Sequence, residues 1–246
     1  MNVFINITII TLITFSCYSQ QSDEVFKLGL KACKSGNFKL ADSLFIKSIE
    51  YGKRINAVSY ENYYNCGIVK RELSQLNLAI AYFDTAIYMN PKYFPSYYDR
   101  SICYYWNEEY NDCIKSVDEG IKVNGKNLDI LVLGAMACLA DNSFVKGGLY
   151  CSKGKLVQKD SRFYGLQILL FLQNSELQRA KNEIQLGETY FKDNNDILEA
   201  KLYYYFIMKD YEVMKSIIKR LGSNYPYLIS EKSFKDKIYE LAQQLR

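Results

Sequence analysis

The sequence predicts an all-α fold of stacked helix-turn-helix units, closed at its C-terminal end by a capping helix. The first ground is a scarcity of breakers. Only Pro91, Pro95 and Pro226 interrupt 246 residues, and glycine is sparse, so the chain reads as long helices with short connections. The second ground is a helical apolar stripe that stops sharply. In "AIAYFDTAIYMNPKY" (Ala79 to Tyr93), Ala79, Ile80, Phe83, Ala86 and Ile87 share one helix face. Asn90-Pro91 then ends it, because the residue before a proline is pushed out of helical geometry. The third ground is that this unit recurs. Small or flexible positions equivalent to Ala79 fall at Ala41, Cys113, Gly147, Ala180 and Met214, in steps of 38, 34, 34, 33 and 34. Three residues before each stands Phe38, Leu76, Tyr110, Phe144, Leu177 or Tyr211. Four residues after each stands Phe45, Phe83, Val117, Cys151, Ile184 or Ile218.

The N-terminal stretch "MNVFINITIITLITFSCYSQQSDE" precedes the repeats. Its uncharged apolar run from Val3 to about Phe15 is shorter than a membrane span of about 20 residues and suits a signal-peptide core. Two exits are open. Cys17-Tyr18-Ser19 offers small residues for cleavage before Gln20, making residues 1–19 a signal peptide. Alternatively Phe15-Ser16-Cys17 resembles a loose lipobox, with Cys17 the acylated first residue. Export is expected, to a periplasmic or outer-envelope location, with membrane attachment only through that lipid or an N-terminal anchor.

The period of 34 and its pattern resemble the tetratricopeptide repeat. The likeness is strongest in "YYNCGIVKRELSQLNLAIAYFDTAIYMNP", where Tyr63, Cys66-Gly67, Leu76, Ala79, Phe83, Ala86 and Pro91 fall on the family's marked positions. In the first repeat Leu28-Gly29, Gly36, Phe38, Ala41 and Phe45 are in register, and in the last Pro226 lands where Pro91 does. The resemblance implies a right-handed α-solenoid of about six repeats over residues 22–228. No such unit buries its apolar face alone, so units stack and the ends need polar caps. The longer first step puts four extra residues around "YGKRINAVSYEN", read as a longer helix or turn. Residues 229–246 give the cap, with Phe234, Ile238, Leu241, Ala242 and Leu245 on one stripe and Ser233 with Asp236 as its start.

Composition removes several function classes. Histidine is absent, which excludes Ser-His and Cys-His nucleophile pairs and His-ligated metals. The net charge is +4 with scattered basic residues, so no nucleic-acid partner is expected. Beyond Cys17, six cysteines mostly fall on faces the register buries, where cysteine acts as a small hydrophobe. One pair, Cys138 with Cys151, lies on facing helices and is the disulfide candidate. There is no CxxC, and Gly147-Gly148 has no phosphate-loop sequence after it. The carboxylate pairs Glu108-Glu109 and Asp193/Asp196 fall beside turns, with no apolar pocket to raise one pKa. No catalytic residue, metal or cofactor is assigned.

In the family the first helices of the repeats line a concave ligand face. Carrying the register over gives Tyr64, Ile68 and Arg71, then Tyr98, Ile102, Tyr105 and Trp106, then Met136 and Leu139. Leu169 and Leu172 follow, then Tyr203 and Phe206. Tyrosine and tryptophan dominate binding hot spots, and Trp106 is the single tryptophan. The relatives that grip a peptide carboxylate do so with Lys and Asn on one helix and Lys and Arg on another. Asn65 matches one of those positions, but Phe26, Leu30, Pro95 and Asp99 replace the others. The expected function is therefore a non-catalytic scaffold that holds a protein or peptide in an apolar, aromatic groove. The alternative is a structural subunit docking through its convex face or ends.

Overall fold

The small residues read as opening the second helices lie one turn inside them, each three residues after the observed helix start. The structure is a computed structural model that describes residues 2–222 and 232–244, with side chains from Ser16 onward. The described residues are helical throughout, without strands. Two compact units divide them, Met1–Gly125 and Lys126–Arg246. Unit 1 holds α1 (Asn2–Lys34), α2 (Phe38–Arg54), α3 (Tyr60–Glu72), α4 (Leu76–Met89), α5 (Phe94–Trp106) and α6 (Tyr110–Val123). Unit 2 holds α7 (Leu128–Ala140), α8 (Phe144–Val157), α9 (Ser161–Gln173), α10 (Leu177–Tyr190), α11 (Asn195–Ile207), α12 (Tyr211–Leu221) and α13 (Lys232–Gln244). In both units, successive helices pair as antiparallel hairpins, and each hairpin packs on the next within its unit.

One turn geometry joins the helices of every repeat. Its left-handed residue is Gly36, Ser74, Glu108, Asn142, Ser175 or Lys209, with φ between 57° and 74°. The next amide reaches back five residues, as in Asn37 N to Ala32 O at 2.9 Å and Gln75 N to Lys70 O at 2.8 Å. This closes the first helix and satisfies its last carbonyls. Only the first repeat places glycine there. The other five hold an L-residue in αL, at about 1–2 kcal/mol each before local compensation.

The repeat phase then sets the packing. Ala41, Ala79, Cys113, Ala180 and Met214 are fully excluded from solvent, as are Phe45, Phe83, Val117 and Cys151. A Cβ on Gly67 would lie 2.5 Å from the Phe83 ring, and one on Gly154 would lie 2.2 Å from Phe163. These glycines let an aromatic ring lie directly on a helix backbone. The cysteine expectation holds too, since Cys66, Cys103, Cys113, Cys138 and Cys151 are all buried. Cys138 and Cys151 face each other from α7 and α8 as thiols, and burial pushes the Cys151 pKa up to about 12.

The long first step is accounted for by α2, which runs 17 residues where α4 runs 14, and by one further residue in the following turn. The capping helix buries Phe234, Ile238 and Leu241 on one face as expected. Its start is a correction: Ser233 sits inside the first turn of α13, one residue past the helix start at Lys232. Pro226 and Leu245 lie outside the described residues. Among the described residues, no helix is long and apolar enough to cross a membrane.

Candidate functional site

The candidate residues of unit 1 converge on α3 and α5. Tyr64 and Arg71 stand on α3 and both donate to Asp99 on α5. The Tyr64 hydroxyl reaches Oδ2 at 2.8 Å, and the Arg71 guanidinium pairs with Oδ1. Arg71 also donates to Glu72 at 3.0 Å. The same guanidinium carbon lies 5.8 Å from the centre of the Trp106 ring. Trp106, on the last residue of α5, is 57% exposed. Tyr98, Ile102 and Tyr105 are half-buried on the same helix.

Aromatic contacts brace this cluster. Tyr64 packs on Phe83 at 5.8 Å and meets Tyr93 edge-on at 5.1 Å. Tyr93 also contacts Tyr60 at 4.8 Å. Phe94 stacks on Tyr98 and Tyr110 backs Tyr105. The electrostatics follow from burial. Burial raises the Asp99 carboxyl above the usual carboxylate range, although the Tyr64 and Arg71 bonds work against it. Burial likewise pushes the Tyr64 phenol upward, and the neighbouring Asp99 charge adds to this. One guanidinium thus sits between two carboxylates, Asp99 and Glu72, so the site carries no spare positive charge. Asn65, on a carboxylate-clamp position, spends its amide on the Glu61 carbonyl of its own helix at 2.8 Å.

The unit 2 candidates are placed differently. Met136 is half-buried on α7, but Leu139, Leu169 and Leu172 are buried at 8%, 2% and 4% exposure. Their expected place on an open face is corrected by the close approach of the first helices. A Cβ on Gly165 of α9 would lie 2.7 Å from the Asp196 carbonyl oxygen, which brings α11 directly against α9. Tyr203 and Phe206 stack on each other, and each meets Phe234 of α13 edge-on, at 5.1 and 5.2 Å. The capping helix therefore packs against the pair that the register offered to a ligand, and both stay half-buried.

Asp99 is the functional residue missing from the sequence candidates. Its signal was an acidic residue on a first helix, 28 positions beyond Arg71 and one beside Tyr98. The carboxylate pairs lie at turns as expected: Glu108 holds the left-handed turn position, and Asp193 pairs with Arg220. No group of acidic or cysteine residues suited to a metal occurs among the described residues.

No family model matches the chain. A human protein, DnaJ homolog subfamily C member 7, is 29% identical over 91 residues, which is 37% of this chain and only 18% of that protein. The structure resembles a tetratricopeptide repeat protein from Parabacteroides merdae, with a TM-score of 0.76 and 15% identity over 92% of this chain and 88% of that one. It also resembles PilF of Pseudomonas aeruginosa, with a TM-score of 0.62 and 14% identity over 91% of this chain and 99% of that one. YrrB, described as a TPR protein with an unusual peptide-binding site, gives a TM-score of 0.55 at 14% identity, covering 81% of this chain and 97% of that one. The six-fold repeat phase, the shared turn and these likenesses agree: the chain has the tetratricopeptide-repeat fold.

Proposed function

We propose that the chain is a non-catalytic scaffold that holds a protein or peptide segment on the first-helix face of unit 1. The observation that carries this reading is Trp106, a large aromatic exposed to solvent and faced by a guanidinium that is itself held by Asp99. An indole held in this way loses little freedom on binding, and tryptophan is the residue type most enriched at interface hot spots. Tyr98, Ile102 and Tyr105 extend the contact along α5. Because Arg71 is shared between Asp99 and Glu72, the face disfavours a terminal carboxylate and suits a neutral or basic apolar segment.

The test is affinity capture from native envelope extracts with the mature chain beside a Tyr98→Ala, Trp106→Ala double variant. A partner held by the native chain and lost by the folded variant supports this face. A partner held equally by both excludes it. Both positions are at least partly exposed, so the variant should keep its helical circular dichroism.

Export belongs to the same reading. Of the two processing exits, the one before Cys17 keeps Tyr18. That residue accepts a hydrogen bond from Arg54 at 3.0 Å and packs 6.1 Å from Tyr51. Cys17 beside it is exposed. These contacts favour a lipid-anchored chain over one cut before Gln20. Intact mass of the mature N-terminus separates the two, since acylated Cys17 and unmodified Gln20 differ in both sequence and lipid mass.

A further inference from the structure

Helix α8 differs from the other second helices in what it shows to solvent. Val145, Leu149 and Leu156 are 81%, 65% and 88% exposed, the three most exposed large aliphatic side chains among the described residues. With Ser152 they follow the i, i+4, i+7, i+11 spacing of a single stripe. The stripe is not the product of a loose helix. A Cβ on Gly147 would stand 2.8 Å from Leu170, and one on Gly154 would stand 2.2 Å from Phe163. These two glycines lie on the opposite face of α8 and hold it flat on α9, so the stripe cannot turn inward.

The charge of α8 is as one-sided as its apolar surface. From Asn142 to Lys159 the chain carries four lysines and no acidic residue. Helical spacing puts Lys146 and Lys153 along one side of the stripe and Lys155 along the other. Lys155 is matched by Glu183 of α10, whereas Lys153 stands exposed. Just past the helix, Lys159 lies 3.8 Å from the centre of the exposed Tyr190 ring. Unit 1 holds as many acidic as basic residues, so the chain's net charge of +4 belongs to unit 2.

This combination selects its occupant. Protein interfaces concentrate aromatic residues and arginine and are depleted in lysine, and leucine and valine are under-represented among hot spots. A helix that lies in a bilayer surface shows the reverse, an apolar stripe flanked by lysines. We infer that α8 docks unit 2 onto an anionic lipid surface. Val145, Leu149 and Leu156 enter the boundary between headgroups and acyl chains, Lys153 reaches lipid phosphates, and the Tyr190 ring sits at headgroup level. The helix lies along the surface, since no helix among the described residues is long and apolar enough to cross it. The site shares no residue with the Trp106 face and needs no lipid on Cys17, so it stands apart from both readings.

The test is co-sedimentation with lipid vesicles of the chain from Cys17 onward, carrying Cys17→Ser to exclude acylation. That chain keeps every repeat and lacks the apolar N-terminal run. One set of vesicles is phosphatidylcholine alone, and in the other a third of the lipid is phosphatidylglycerol. Binding to the anionic set should be about tenfold tighter or more, and Lys153→Gln should weaken it about fivefold, the worth of one lysine at an anionic surface. Added salt should weaken it further. A Leu149→Ser, Leu156→Ser double variant should lose about tenfold or more, as when leucine side chains stay in water, and Trp106→Ala should change nothing. All these positions are exposed, so each variant should keep the native helical circular dichroism. The proposal is overturned if the anionic vesicles are not bound, if neutral vesicles are bound equally well, or if the double serine variant binds as tightly as the native chain. Dilution-dependent self-association that the serine variant disperses would also overturn it, by making a second copy the occupant.

Discussion

The two units bury different chemistry under the same repeat phase. Of the eleven buried polar or charged residues described, nine lie in unit 1 and only Gln167 and Glu199 in unit 2. Helix α5 buries Ser96, Asp99, Arg100 and Ser101 along with Tyr97 and Cys103. Helix α7, its counterpart one repeat later, buries only Ile130, Leu131, Leu133, Gly134, Ala135, Ala137, Cys138 and Leu139. In unit 1 most of these buried groups are paired across helices, although the Ser96 hydroxyl has no partner among the described residues. Arg100 links Ser116 at 2.9 Å and Asp84 at 2.6 Å, and also bonds Glu119. Ser22, Ser48 and Asn62 tie α1, α2 and α3 together at 2.9–3.2 Å. Such pairs fix the register and leave side chains with defined polarity at the face. Unit 2 is held mainly by volume.

Volume should therefore matter most in unit 2. Phe163 is fully buried and lies across the Gly154 backbone, so Phe163→Ala should cost about 3–5 kcal/mol. Gly154→Ala should cost about 1–3 kcal/mol through overpacking. Combining Gly154→Ala with Phe163→Leu should cost less than the two singles added together, because the smaller side chain makes room for the new methyl. Urea denaturation of the four proteins reads this directly, and strict additivity would show that the ring does not rest on that glycine.

Pairing should matter most in unit 1. Lys70 is buried and bonds Asp42 at 2.8 Å, with side-chain exposures of 10% and 19%. Lys70→Met leaves the Asp42 carboxylate without its cation, and the cost should be about 3 kcal/mol, the low end for a buried pair. Adding Asp42→Leu should return stability to within about 1 kcal/mol of native or above it. A double variant as unstable as the single would mean that the pair does more than cancel its own burial.

The turns offer a smaller effect common to both units. Glu108 and Lys209 hold the left-handed position at φ 60° and 57°. Glu108→Gly and Lys209→Gly should each stabilise by about 0.5–1 kcal/mol, since glycine removes the strain while adding some chain entropy. Asn142→Gly should gain less, because asparagine tolerates αL. Equal gains in the two units would confirm that the turns contribute alike and that the difference between units lies in the helices.

The repeat phase was legible because it is local: the small residue, the aromatic before it and the bulky residue after it share one helix. The existence and phase of α2, α4, α6, α8, α10 and α12 follow from that alone, although each starts three residues before its small residue. Which face stays open was not legible, because it depends on how near non-adjacent helices come. Gly165 lets α11 close over α9, and Phe234 arrives from the C-terminal helix to pack against Tyr203 and Phe206. Trp106 was found because it is unique and near a helix end. Asp99 was visible only as a missing cation, and its partners became clear once α3 and α5 lay side by side.

The two units should also answer acid in opposite senses. In unit 1, burial holds the Asp99 carboxyl above its ordinary range. Its charge therefore costs stability above the folded pKa, and that cost is relieved as pH falls through it. In unit 2, hydrogen bonds from Arg162 outweigh burial and hold the Asp160 carboxyl below its ordinary range. Asp160 thus contributes stability that is present above its unfolded pKa of about 3.9. That contribution is lost as pH falls through the lower folded value. Asp99→Asn and Asp160→Asn remove these titrations one at a time. Between about pH 6 and pH 3, the Tm of native chain minus Asp160→Asn should fall, and that of native chain minus Asp99→Asn should rise, each by no more than about 2 °C. If both differences moved the same way, the Asp99 carboxylate would be held by Tyr64 and Arg71 more strongly than burial opposes it. The polar network of unit 1 would then stabilise its charge outright.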